Sequence, residues 1–238
     1  MKSRFGTALL TLAAVVTLPA IGSAQDITAI GATWANAVGG LNTVIDNGAD
    51  PIRVSWGNPT GVRSAYTFAT AGVPIFYAGN TPFSLGTFTH ENFPIPLPGL
   101  TSVDLQIAYT IGGATPTNFS DSWTLNHEET PNSGTCAYAG GPKCADRVTF
   151  NLTTGGGPTP FFYGGFSYQV TLIGFGDSAA EAGLDPSFIT FEGQSNPTQL
   201  WARIDQVPTN TVPEPATMTL LATGLAGLAA SRRRNRKS

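Results

Sequence analysis

The sequence predicts an all-β protein, an antiparallel β-sandwich of jelly-roll type. Three observations predict it: apolar and polar residues alternate in short runs, turn-forming dipeptides separate those runs, and no long stretch has helical periodicity. Alternation places one set of side chains toward a core and the other toward solvent. The clearest run is Val103, Leu105, Ile107, Tyr109 and Ile111, interleaved with Asp104, Gln106, Ala108 and Thr110. Ile52, Val54 and Trp56 repeat the pattern, as do Phe119, Trp123 and Leu125. Further strands are expected at Val148, Phe150 and Leu152, at Phe166, Tyr168, Val170 and Leu172, and near Leu200, Ala202 and Ile204. Turn signals lie between them at Asp46-Asn47-Gly48, Asn58-Pro59-Thr60-Gly61, Gly112-Gly113 and Gly155-Gly156-Gly157-Pro158. One short helix is expected at Ser178–Gly183, and Phe93–Pro98 reads as a stiff connection between strands.

The ends of the chain differ from this body. Lys2 and Arg4 precede an apolar run from Ala8 to Leu18, Pro19 breaks it, and Gly22, Ser23 and Ala24 are small. That order predicts a signal peptide over residues 1–24, removed by signal peptidase. The sandwich is then expected over residues 25–212. At the other end Val212, Pro213, Glu214 and Pro215 precede the fifteen uncharged residues Ala216–Ala230. Arg232, Arg233, Arg234, Arg236 and Lys237 follow. As a helix the uncharged run spans roughly 22 Å, less than the ~30 Å hydrocarbon core but tolerable for a transient inner-membrane anchor. The basic cluster stays cytoplasmic, which places the body outside.

Those three parts, in that order, resemble the PEP-CTERM sorting signal of Gram-negative bacteria. The resemblance implies recognition by an exosortase, cleavage near Pro213–Pro215, and release or transfer to the cell surface or extracellular matrix. It also implies association with exopolysaccharide.

Removing the ends changes the electrostatics. The whole chain carries a formal charge of −3, but seven of its twelve basic residues lie in the two ends. The 188-residue body holds fourteen acidic and five basic residues, a balance of −9. No basic groove for a phosphate backbone can be built from that balance, so nucleic acid is excluded as a partner. Cys136 and Cys144 are the two cysteines, and a close pair in an exported protein is expected to form a disulfide, contributing roughly 2–3 kcal/mol.

Both histidines of the chain fall in two short segments, His90 in Phe83–Ile95 and His127 in Trp123–Asn132. Thr89, His90 and Asn92 fit the Thr-His-x-Asn motif that names the THxN family of PEP-CTERM proteins. The surrounding Leu85-Gly86-x-Phe88-Thr89-His90-x-Asn92-x-Pro94-Ile95 resembles the choice-of-anchor K domain. That resemblance implies an exported β-rich module and supplies no reaction.

Read as chemistry, His90, His127 and Glu128, with Glu129 or Asp177 nearby, are candidate metal ligands, since imidazole and carboxylate are ordinary donors. Three roles stay open for them: hydrogen bonding at a strand exit, calcium or another metal, and carbohydrate contact. Otherwise no cofactor is expected. Glu128 and Glu129 would face opposite sides of a strand, so they do not make a paired acid and base. There is no Gly-x-Ser-x-Gly elbow. The expected function is therefore non-enzymatic, with two alternatives: a carbohydrate-binding module for the exopolysaccharide, or a polysaccharide-active enzyme. Tyr77, Tyr138 and Tyr163 are candidates for sugar contact, while Trp34, Trp56, Trp123 and Trp201 read mostly as core.

Overall fold

The computed structural model describes residues 25–77, 80–112, 116–132, 134–138, 143–150, 160–163, 165–182, 187–207, 220, 222–226 and 232. Its strands are β1 Gln25–Gly39, β2 Val44–Asp46, β3 Ile52–Gly57, β4 Arg63–Thr70, β5 Ile75–Tyr77, β6 Phe83–Asn92 and β7 Leu100–Ile111. They continue with β8 Thr117–Glu128, β9 Asp146–Phe150, β10 Phe161–Tyr163, β11 Phe166–Gly176, β12 Ser187–Thr190 and β13 Gln194–Gln206. The strands form two antiparallel sheets. One has the order β12-β9-β8-β7-β1-β5 and the other β10-β11-β13-β6-β4-β3-β2. The expected all-β sandwich is the fold observed, and the runs predicted from alternation fall on β3, β7, β8, β9, β11 and β13, except that Leu152 and the turn expected at Gly155–Pro158 lie outside the described residues.

Strand pairing follows from side chains of like character meeting on one face. Leu105 of β7 opposes Trp34 of β1 and Trp123 of β8, and all three are buried. Along the inner face of the seven-stranded sheet, Phe88 of β6 contacts Tyr66 of β4 and Phe175 of β11, each at a ring separation of 5.0 Å. Such tilted ring pairs add to the area they remove from water.

Glycine is required where β6 passes β4. At Gly86 the backbone φ is +155°, and a Cβ there would lie 2.2 Å from the carbonyl oxygen of Ala69. The neighbouring β13 shifts register between Leu200 and Trp201 at the same level, as expected where an irregular residue interrupts a ladder.

Among the described residues of the body there is one short helix, α1, at Ala179–Ala182, inside the predicted stretch. The Glu181 amide donates to Ser178 Oγ at 3.4 Å, and Glu181 Oε2 accepts from the Asp177 amide at 3.1 Å. A serine and a glutamate thus satisfy opening N–H groups of a very short helix. The Pro-rich piece at residues 93–98 joins β6 to β7, and its Ile95 is buried against Gly57.

The expected signal peptide lies outside the described residues, as do Val212, Pro213, Glu214 and Pro215 and the basic residues Arg233, Arg234, Arg236 and Lys237. Of the expected membrane anchor, Leu220 and residues 222–226 are helical and exposed, as is Arg232. Among the described residues no helix is long and apolar enough to cross a membrane.

Candidate functional site

The two sheets bring both histidines together. His90 extends from β6 and His127 from β8, on opposite sides of the sandwich, and their rings stand 5.2 Å apart at 89°. Both are buried, at 0% and 7% exposure. Trp56 closes one side, with ring centroids 5.8 Å from His90 and 5.5 Å from His127. Tyr66, which is paired with His90 across β4 and β6, presents its hydroxyl to His127 Nδ1.

A third group, Asp146, comes from the first residue of β9 and is fully buried. One Asp146 oxygen, Oδ1, accepts from the Thr130 amide at 2.7 Å and lies 3.1 Å from the Thr130 hydroxyl. The other, Oδ2, has no hydrogen-bond partner among the described residues. His90, His127 and Asp146 each offer a ligand atom within 4.8 Å of the others. Thus His90 and His127 converge as sequence candidates, and the structure supplies a carboxylate that sequence reasoning missed.

Glu128, the third candidate from sequence, is placed elsewhere. It is exposed on the outer face of β8, where its Oε2 accepts from Arg147 at 2.8 Å and from the Tyr138 hydroxyl at 2.8 Å. Strand alternation is the reason: with His127 inward, Glu128 must point out. Glu129, past the end of β8, turns back so that its Oε2 lies 3.1 Å from His127 Nε2. Asp177 lies just before the short helix, where its amide donates to Glu181 Oε2, and it takes no part in the cluster.

The motif residues have distinct roles. Thr89 lies between two inward-facing neighbours, and His90 and Asn92 point into the sandwich. Asn92 Nδ2 donates to the Thr190 carbonyl at 3.2 Å. His90 Nδ1 meets Thr190 Oγ1 at 2.8 Å, and that hydroxyl faces the Asp146 carbonyl at 3.4 Å. If the Thr190 proton goes to the carbonyl, His90 donates from Nδ1 and its Nε2 carries a bare lone pair. That Nε2 is buried without a partner among the described residues.

Burial sets the protonation states. Desolvation, helped by His127, pushes the His90 pKa well below its ordinary value, so its ring is neutral. Desolvation, with Asp146 and Glu129 adding to it, holds the Tyr66 hydroxyl protonated. The same burial, with Glu129 next to it, raises the Asp146 carboxyl, and hydrogen bonds from Thr130 partly offset the rise. Glu192, just beyond β12, is pushed up to about 7 by burial and by Asp146 and Glu129. The carboxylates crowd one another beside the neutral His90 ring.

Cys136 and Cys144 are joined, with Cα atoms 4.9 Å apart, in the connection from β8 to β9 that carries Thr130 and leads into Asp146. The disulfide therefore ties down the segment that delivers the carboxylate.

The aromatic candidates for sugar contact are dispersed. Trp34, Trp56 and Trp123 are buried in the core, and Trp201 donates its indole N–H to the Gly176 carbonyl at 2.9 Å. Tyr163 packs against the core, and the side chain of Tyr77 lies outside the described residues. Tyr138 sits under the Arg147 guanidinium at 5.1 Å. A shallow groove crosses the outer face of β1, β7 and β8, lined among others by Thr33, Gln106, Ala108, Ser120 and Ser122.

Compared with known proteins, the chain matches the sequence model of the PEP-CTERM protein-sorting motif over residues 211–234. No curated protein matches it.

Proposed function

We propose that this PEP-CTERM sorting domain-containing protein, exported and targeted to the cell surface by an exosortase, is a non-enzymatic surface or matrix component associated with exopolysaccharide. One observation carries the reading: the sorting motif at residues 211–234 follows an acidic sandwich whose histidines are enclosed. A polymer could not reach His90, Asn92 or Asp146, each fully buried between the sheets. Signal peptidase removes residues 1–24, the run Ala216–Ala230 holds the chain transiently in the inner membrane, and exosortase then cuts near Pro213–Pro215. The body charge of −9 keeps neighbouring copies soluble outside the cell.

Deleting residues 213–238 tests this reading. Surface and matrix fractions should lose most of the protein, which then collects in the periplasm. Unchanged fractionation would reject the sorting role.

A second reading is carbohydrate binding in the groove over β1, β7 and β8. Its support is the set of exposed hydroxyl and amide groups there, suited to sugar hydroxyls. Gln106→Ala should then weaken retention on the producer's own polysaccharide, whereas equal retention argues against it.

A further inference from the structure

We infer that His90, His127 and Asp146 form a buried site for a divalent ion of the zinc class, held between the two sheets. The inference is independent of the sorting motif, which contributes none of the residues.

The first ground is convergence. Three donors from both sheets lie within 4.8 Å of one another and all are buried. Around a tetrahedral zinc at about 2.1 Å, ligand atoms stand roughly 3.4 Å apart, so modest side-chain adjustment closes the set on an ion.

The second ground is a mismatch of donors and acceptors. Among the described residues, His90 Nε2, Asp146 Oδ2 and Asn92 Oδ1 are buried without a hydrogen-bond partner. Every one is an acceptor when His90 is protonated at Nδ1 and the Asp146 carboxylate is charged. Burying such groups unpaired is costly. A cation placed among them relieves that cost.

The third ground is support behind the ligands. Thr190 orients His90 through Nδ1, and Thr130 fixes Asp146 through Oδ1, leaving Nε2 and Oδ2 free. Metal-binding histidines and carboxylates are ordinarily held in this way from their far side. His127 has Tyr66 on one ring nitrogen and Glu129 on the other. Binding exchanges one of these partners, and Glu129 is placed to provide a further oxygen.

The donor set selects the ion. Two imidazoles with one carboxylate suit zinc and its first-row neighbours, whereas calcium takes six to eight oxygens. The calcium weighed from sequence is thus the poorer match.

The test uses the full chain, purified without a histidine tag, stripped with chelator and then dialysed against Zn²⁺, Ca²⁺ or Mg²⁺ alone. We expect about one zinc per chain, a higher melting temperature with zinc only, and no calcium retained. His90→Gln and Asp146→Asn should lose zinc, and Glu128→Gln on the outer face should keep it. Should the ligand variants fail to fold, Thr190→Val carries the test through a hydroxyl behind the ligand, with zinc affinity expected to fall about 10- to 100-fold. Absence of zinc from the wild type, equal zinc in folded His90→Gln, unchanged affinity in Thr190→Val, or preference for calcium would overturn the site.

Discussion

Phe88→Ala should destabilise the sandwich by about 3–5 kcal/mol, the cost of deleting a fully buried phenylalanine that its surroundings cannot refill. Phe88 is 0% exposed and joins the two halves of the aromatic core. Tyr66 and Trp34 lie on one side of it, with Phe175 and Phe188 on the other. A domain of this kind has about 5–15 kcal/mol of total stability, so the loss would be a large share. In urea the unfolding midpoint should fall by roughly 1–2 M. Phe162→Ala is the control. Phe162 is 71% exposed, and its truncation should change stability by no more than about 0.5 kcal/mol. A Phe88→Ala midpoint like that of Phe162→Ala would mean that the core is not organised around this ring.

The second large effect is a dependence on pH carried by Glu192. Its carboxyl is raised from 4.5 to about 7 in the folded chain, so between those values the folded state holds a proton that the unfolded state has released. Its contribution to stability is therefore fully present below about pH 4.5 and is lost as pH rises through 7. Unscreened, the displacement corresponds to roughly 3 kcal/mol; partial exposure of Glu192 to solvent reduces this to on the order of 1–2 kcal/mol. His90 works in the opposite direction. Its lowered pKa means that the unfolded chain gains a proton below about 6.5 that the buried ring refuses. The difference between wild type and Glu192→Gln isolates the glutamate. In chelator-treated protein, wild type should lose stability relative to Glu192→Gln between pH 5 and 8. Parallel curves would show that Glu192 titrates as an ordinary surface acid.

Strands with clean alternation were legible in the sequence, and those interrupted by irregular residues were not. Val103–Ile111 alternates without a break and lies within β7, with its apolar members buried. Long β1 carries no such signal. Its apolar positions are diluted by alanine and glycine, and its register to β7 shifts between Ile27 and Ala29 and again after Ala35. Asn36 there adopts φ 51°, and each shift exchanges the face on which the next residue lies. β6 is hidden for a related reason: Gly86 breaks its period, and Thr89, His90 and Asn92 have the composition of a loop.

The candidate site was half legible. The two histidines drew attention because the chain has only two. Their partner Asp146 did not, since nothing in sequence spacing relates it to His90, which lies on the other sheet. Pairing supplies the missing relation, because Asp146 of β9 opposes Thr190 of β12, and Thr190 touches His90. Glu128 and Glu129 show what local rules can and cannot decide. Alternation separates their faces, but only the chain reversal after β8 shows that Glu129 is the one beside His127.

The most direct test of the central claim, that this chain is sorted through its tail, is the intact mass of the exported protein from cells with and without exosortase. A chain ending near Pro213–Pro215 is expected in the surface fraction of normal cells. Without exosortase, a membrane-held form that retains Arg232–Lys237 is expected. An exported protein that keeps its arginine cluster in both strains would contradict that claim.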